Sequence, residues 1–143
     1  MVNVSSFTLD TIRYGNVTYL PNPQHRDGNP NKSQWLIDIN HEIYVFKCMD
    51  YYCWGGDENG WGLFINGNDS LNYLGVIPGR NIEVFIAKFV TDKNHNTWHG
   101  YPADYQLKAQ DIPAGPILLK WEKENLITKA KMRKIMRQQP CKI

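Results

Sequence analysis

The run Ile82-Glu-Val-Phe-Ile-Ala-Lys-Phe-Val90 is the longest strand signal in the chain, and the change of pattern across it decides the fold. β-Branched and aromatic residues alternate there with few breaks, as a pleated and largely buried strand requires. Before it lie short β-type runs separated by turn residues. After residue 105 the apolar period switches from two to that of a helix. This order predicts an α+β fold: a mostly antiparallel twisted sheet over residues ~6–90, covered by two C-terminal helices at ~113–124 and ~128–138.

Working back from residue 82, Pro78-Gly79 and Asn66-Gly67-Asn68-Asp69 read as turns flanking a short strand at 72–76. Asn59-Gly60, between Cys53-Trp54 and Trp61-Gly-Leu-Phe-Ile65, favours a type I′ hairpin turn because both residues tolerate positive φ. Trp35–Ile39 and the nearly all-apolar Ile43–Cys48 flank Asn40-His41-Glu42, which predicts a second tight hairpin with 43–48 as a central strand. Residues 21–33 form a polar loop with three Pro, three Asn and one His, whose length for a compact domain points to either mobility or function. Residues 6–20 predict two strands about Tyr14-Gly15-Asn16.

Working forward, Asp111 is placed to cap a first helix, with Pro113 or Pro116 in its first turn and Ile117, Leu118 and Trp121 as its apolar stripe. Asn125 suits a left-handed helix stop, and Thr128 an N-cap for a second helix. That helix carries Met132, Ile135 and Met136 on one side and Lys129, Lys131, Arg133, Lys134 and Arg137 on the other. The turn between the two helices gives a weak likeness to helix-turn-helix geometry.

With 143 residues, the chain is expected to form one domain, 1–143, able to bury a core without disulfides. No stretch is long and apolar enough for a membrane span, and the first residues lack the basic start and apolar run of a signal peptide, so a cytoplasmic location is expected. Cys48, Cys53 and Cys141 are an odd number, which argues for reduced thiols over a disulfide framework. The net charge is only +2, but residues 117–143 hold eight Lys/Arg against two Glu, giving +6, which leaves −4 for residues 1–116. A basic end of this kind points to an acidic partner.

The richest segment for chemistry is 92–105, Asp-Lys-Asn-His-Asn-Thr-Trp-His-Gly-Tyr-Pro-Ala-Asp-Tyr, read as part of a His/aromatic loop spanning 91–112. His99 beside Asp104 has the composition of a general base oriented by a carboxylate, with His95 near it and Lys93 or Arg80 to steady negative charge. That set would serve a hydrolase or nuclease. The competing reading is that Trp98, Tyr101 and Tyr105 merely pin the segment to the sheet. Cys48, Cys53, His95 and His99 also supply a zinc-type ligand set, although the four-residue gap between the thiols is at the edge of the usual spacing and no cofactor is required by the sequence. No phosphate-binding, dinucleotide, metalloprotease, hydrolase-elbow or deaminase motif is present.

The preferred functional expectation is a small intracellular binding module for nucleic acid or an acidic protein partner. The basic helix (Lys129, Lys131, Arg133, Lys134, Arg137) would supply attraction, and Trp98 and Tyr101 specificity. The alternatives are the hydrolase using His95, His99 and Asp104, and a partner-neutralising protein of inhibitor or immunity type with no chemistry.

Overall fold

The computed structural model describes residues 5–92, 94 and 96–143. The expected class holds: a mostly antiparallel six-stranded sheet is combined with three helices, two of them near the C-terminus.

The chain opens with the hairpin β1 (Phe7–Thr11) and β2 (Gly15–Tyr19), closed as expected at Gly15, whose φ of 72° needs a residue without Cβ. Asp50, 3 % exposed, accepts the N–H groups of Ile12 and Arg13 at 2.8 and 3.1 Å and so fixes this turn to the next element.

That element corrects one expectation. Residues 43–48 are not a central strand; they lie inside helix α1 (Ile39–Tyr51). The Asp38 carboxylate caps it by accepting the His41 N–H at 2.8 Å. Glu42, Val45, Phe46 and Met49 are buried while Asn40, Tyr44, Lys47 and Tyr51 are exposed, a period near 3.6. The apolar run concealed this period because half-buried Ile43 and exposed Tyr44 lie directly beside the buried stripe.

The main sheet continues with β4 (Asn59–Ile65), β5 (Leu71–Asn72), β8 (Ile86–Asp92) and β9 (Thr97–Pro102), in the order β1-β2-β9-β8-β4-β5. All its pairings are antiparallel except β2 with β9. A second, three-stranded sheet holds β3 (Gln34–Trp35), β6 (Gly75–Ile77) and β7 (Ile82–Val84). The long 82–90 signal is therefore split at Phe85 between two sheets.

The turn before β4 also differs from expectation. It spans Gly56–Asn59, with the Gly56 N–H donating to the Asn59 carbonyl at 2.8 Å, and neither Asn59 nor Gly60 has positive φ. Gly60 and Gly62 instead serve packing. A Cβ at Gly62 would stand 2.8 Å from Val45 Cγ1, and one at Gly60 2.6 Å from Met49 Sδ, so their bare backbone lets α1 lie close against β4.

Helix α2 (Gly115–Lys123) buries Ile117, Leu118 and Trp121, the expected stripe. Its N-cap is Ala114, so Asp111 is freed for another role. Asn125 ends the helix at φ 62°. Thr128 caps α3 (Lys129–Met136) by accepting the Lys131 N–H at 3.1 Å. Ile135 joins the core, whereas Met132 is half-buried and Met136 exposed. One buried cluster links α1, the sheet and both C-terminal helices through Phe46, Leu63, Phe89, Trp121 and Ile135.

Candidate functional site

Strand register builds the centre of the site. Trp61 on β4 lies opposite Lys88 on β8, and Lys88 lies opposite Tyr101 on β9. These three side chains form a row on the face away from α1, whereas Gly60, Phe89 and Gly100 form the neighbouring row facing it. Lys88 is 5 % exposed, sits 5.4 Å from the centre of the Trp61 ring and donates to the Gln110 carbonyl. Its charge needs compensation, and Asp111 provides it at 3.9 Å.

Asp111 is 1 % exposed and its carboxylate gathers the surrounding loop. It accepts the Tyr101 hydroxyl at 2.9 Å and the Asp104 N–H at 2.9 Å, while its backbone carbonyl accepts the Trp61 indole N–H at 3.1 Å. The Asp104 carboxylate is paired with Arg80. Burial raises the Tyr101 phenol well above its ordinary range, and the neighbouring Asp111 charge raises it further. Burial lowers the Lys88 ammonium, and Asp111 opposes that fall.

The polar loop 21–33 folds over the same face. His25 stacks on Tyr101 with ring centres 5.2 Å apart, and its Nδ1 lies 2.7 Å from the Ser33 carbonyl. That contact places the proton of a neutral ring on Nδ1 and leaves Nε2 as an acceptor. The His25 pKa is lowered, first by burial and then by the charges of Lys32, His99 and Lys108, while the Ser33 carbonyl raises it. Gln34, 8 % exposed, staples the loop: its amide donates to the Gln24 carbonyl at 2.8 Å and accepts the Gly28 N–H at 2.9 Å. A cleft of about 390 Å³ results, lined by His25, Lys32, Ser33, Tyr101 and Lys108 together with Arg80, Asp104 and Asp111.

Within the 91–112 stretch expected to be a His/aromatic loop, residues 97–102 form strand β9. Its burial alternates from Thr97 to Pro102, with Trp98, Gly100 and Pro102 inward. Trp98 is 1 % exposed and packs on Phe46 and Tyr14, so it belongs to the core and is closed to a ligand. Tyr101 does line the cleft. His99 lines a different recess with Leu20, Pro21, Asn22 and Pro23, and burial alone lowers its pKa. The expected orientation of His99 by Asp104 is not found, because that carboxylate is held by Arg80 and no hydrogen bond joins the two residues. Lys93 and His95 lie outside the described residues.

Of the zinc-type set, Cys48 is half-buried on α1 and Cys53 is exposed just beyond it, while His99 is on β9. Among the described residues, no three His, Cys, Asp or Glu side chains are gathered as metal ligands. No helix among them is long and apolar enough to cross a membrane.

The basic helix is placed as its sequence suggests. Lys129, Arg133, Lys134 and Arg137 are exposed, and Lys131 is half-buried. Among the described residues, the ion pairs join Arg26 to Glu42, His41 to Asp38, Arg80 to Asp104 and Lys88 to Asp111, and none involves α3. Just beyond α3, the Gln138 amide donates to the Tyr105 and Gln106 carbonyls at 3.1 and 3.3 Å, which ties the end of the helix to the segment after β9.

No sequence pattern singles out His25, Lys32 or Lys108. The one available signal was a long polar loop containing a histidine. The chain was compared with protein-family models, curated proteins and solved structures, and it matches none of them.

Proposed function

We propose that this protein is a binding module for nucleic acid, with α3 as its phosphate-facing surface. The observation that carries the reading is the unneutralised cationic face of that helix. Residues 125–143 contain Lys129, Lys131, Arg133, Lys134, Arg137 and Lys142 and no Asp or Glu, and the α3 cations have no ion-pair partner among the described residues. A structural role would place carboxylates at three- or four-residue spacing to relieve the repulsion, and none is there. Polyphosphate supplies that relief and releases condensed counterions on binding. An acidic protein partner is favoured less, because the exposed side of α3 offers Met136 as its one large apolar side chain and lacks the aromatic anchors that centre protein interfaces. Hydrolysis by His99 and Asp104 is not favoured, since the two are not assembled.

The test is a salt series of binding to duplex and single-stranded oligonucleotides, with the variant K129Q/R133Q/K134Q/R137Q beside the parent chain. Glutamine is preferred to glutamate because Arg133 and Lys134 occupy the last turn, where negative charge would oppose the helix dipole by about 0.3–1 kcal/mol per site. The slope of log K against log salt should be about −3.6 for four phosphate contacts on a duplex, and its magnitude should shrink by about 0.9 per cation removed. Unchanged affinity and slope in the variant would refute the reading. Binding to poly-glutamate in place of both oligonucleotides would transfer it to an acidic protein partner.

A further inference from the structure

We propose that the cleft between the 25–33 loop and β9 is a separate binding site for a phosphate monoester, gripped by the Lys32 and Lys108 ammonium groups and by His25. The argument begins with what each polar group in the wall already does. Arg80 neutralises Asp104, and Lys88 neutralises Asp111 from behind. Asp111 also holds the Tyr101 hydroxyl, and the Nδ1 of His25 is held by Ser33. Among the described residues, neither the Lys32 nor the Lys108 ammonium has a hydrogen bond or an ion pair. The lining cations Lys32, Arg80 and Lys108 and the buried Lys88 behind Asp111 stand against two carboxylates, which leaves a surplus of two positive charges, borne by Lys32 and Lys108 beside a neutral imidazole.

The chemistry of that surplus selects the ligand. A phosphate monoester carries about −1.5 to −2 charge at neutral pH and presents three acceptor oxygens on one small head. The two ammonium groups reach those oxygens as donors, and the imidazole becomes a third donor group once Nε2 carries a proton. A cleft of about 390 Å³ lies at the lower end of the range for small-molecule sites, roughly 300–1,000 Å³, and accepts a mononucleotide-sized body but not a folded polymer. The site is also held ready. The Gln34 amide fixes the loop that carries Lys32, and the Asp104–Asp111 contact fixes the turn that carries Lys108. This inference does not depend on α3.

The charges that face His25 provide a direct readout. Lys32, His99 and Lys108 disfavour its protonated form, whereas the Ser33 carbonyl favours it and the Tyr101 ring covers one side. A bound dianion offsets the lysines and brings a proton onto Nε2, which turns an acceptor into a third donor. The experiment follows the His25 Cε1–H resonance of the full chain by NMR, assigned with H25Q, during titration with inorganic phosphate, adenosine 5′-monophosphate and adenosine at constant ionic strength.

The expected result is a saturable shift with the two phosphates and none with adenosine, with the apparent pKa of His25 raised at saturation. K32Q/K108Q should weaken binding at least about tenfold and K32R/K108R should restore most of it, while K129Q/R133Q/K134Q/R137Q should leave it intact. Oligonucleotides with a 5′-phosphate or a 5′-hydroxyl separate the sources of the group. A preference for the 5′-phosphate that K32Q/K108Q abolishes assigns the cleft to a chain end; equal binding of the two, with adenosine 5′-monophosphate retained, assigns it to a free small molecule. Absence of a saturable shift up to about 10 mM phosphate or nucleotide, or a shift undiminished in a folded K32Q/K108Q, overturns the proposal.

Discussion

Asp111→Ala should be among the most damaging single substitutions in this protein, and the structure gives its size. The carboxylate is 1 % exposed and accepts the Tyr101 hydroxyl and the Asp104 N–H, each at 2.9 Å, with the buried Lys88 ammonium 3.9 Å away. Truncation strands a hydroxyl, an amide and a charge at once. A hydrogen bond to a charged group contributes about 1.5–3 kcal/mol, and removal of one partner from a buried ion pair costs about 3–5 kcal/mol. The three contacts share one carboxylate, so their contributions overlap and do not sum. Lys88 keeps the Gln110 carbonyl and the Trp61 ring face, which places the expected loss toward the lower end, about 3–4 kcal/mol.

Against a total stability of about 5–15 kcal/mol, this loss is large. It corresponds to a fall in Tm of roughly 6–16 °C at about 2–4 °C per kcal/mol for a chain of this size. Urea unfolding followed by tryptophan fluorescence measures it, with the m-value as a check that the unfolded state is unchanged. The cycle partner is Lys88→Met. In that background Asp111→Ala should cost at least about 1 kcal/mol less, because no stranded charge remains. A loss below about 1 kcal/mol, or the same loss with and without Lys88, would show that the row Trp61–Lys88–Tyr101 is not tied together by Asp111.

Two further outcomes follow from the same geometry. Gly100→Ala should destabilise by about 1–3 kcal/mol, since its Cβ would lie 2.5 Å from Cε1 of the fully buried Phe89 and 3.0 Å from the Tyr19 hydroxyl; a thermal midpoint equal to the parent's would mean that the sheet relaxes freely there. The His25 pKa is depressed below the ordinary 6.5, so the neutral ring stabilises the fold above pH 6.5 and that contribution disappears as pH falls through the folded value. Thermal midpoints measured from pH 7.5 to 5 should therefore fall less steeply in His25→Gln than in the parent chain, and parallel curves would contradict a buried neutral imidazole.

The candidate site was only partly legible beforehand. Tyr101, Asp104 and Arg80 stand out in the sequence as chemistry-bearing residues, and all three line the cleft. The pairing of Asp104 with Arg80 spans 24 residues, and no local pattern encodes it. Local pattern makes Asp111 a helix cap, whereas its actual partners are set by the register of β8 and β9. His25 is remote from Tyr101 in sequence, and only the folding of the 21–33 loop across β9 stacks the two rings. The strand β9 itself was recoverable: Thr97–Pro102 alternates in burial, but Gly100 and Pro102 on the inner face disguised the period because both read as loop residues.

What the sequence by itself determined was local. The α+β class, the turn at Gly15, the Thr128 cap, the Asn125 stop, the apolar stripe of α2 and the cationic face of α3 all depend on contacts within a few residues, where propensity, capping and periodicity operate directly. Tertiary structure decided the rest. It made a helix of Ile39–Tyr51, because Val45 and Met49 find bare glycine backbone on β4 to pack against. It sent Trp98 into the core and aligned Trp61, Lys88 and Tyr101 in one row. It also brought Lys32 and Lys108, which form no ion pair among the described residues, to a common cleft. Register and burial arise from pairings between residues far apart in the chain, and the free energy of a buried charge depends on which partner those pairings bring to it.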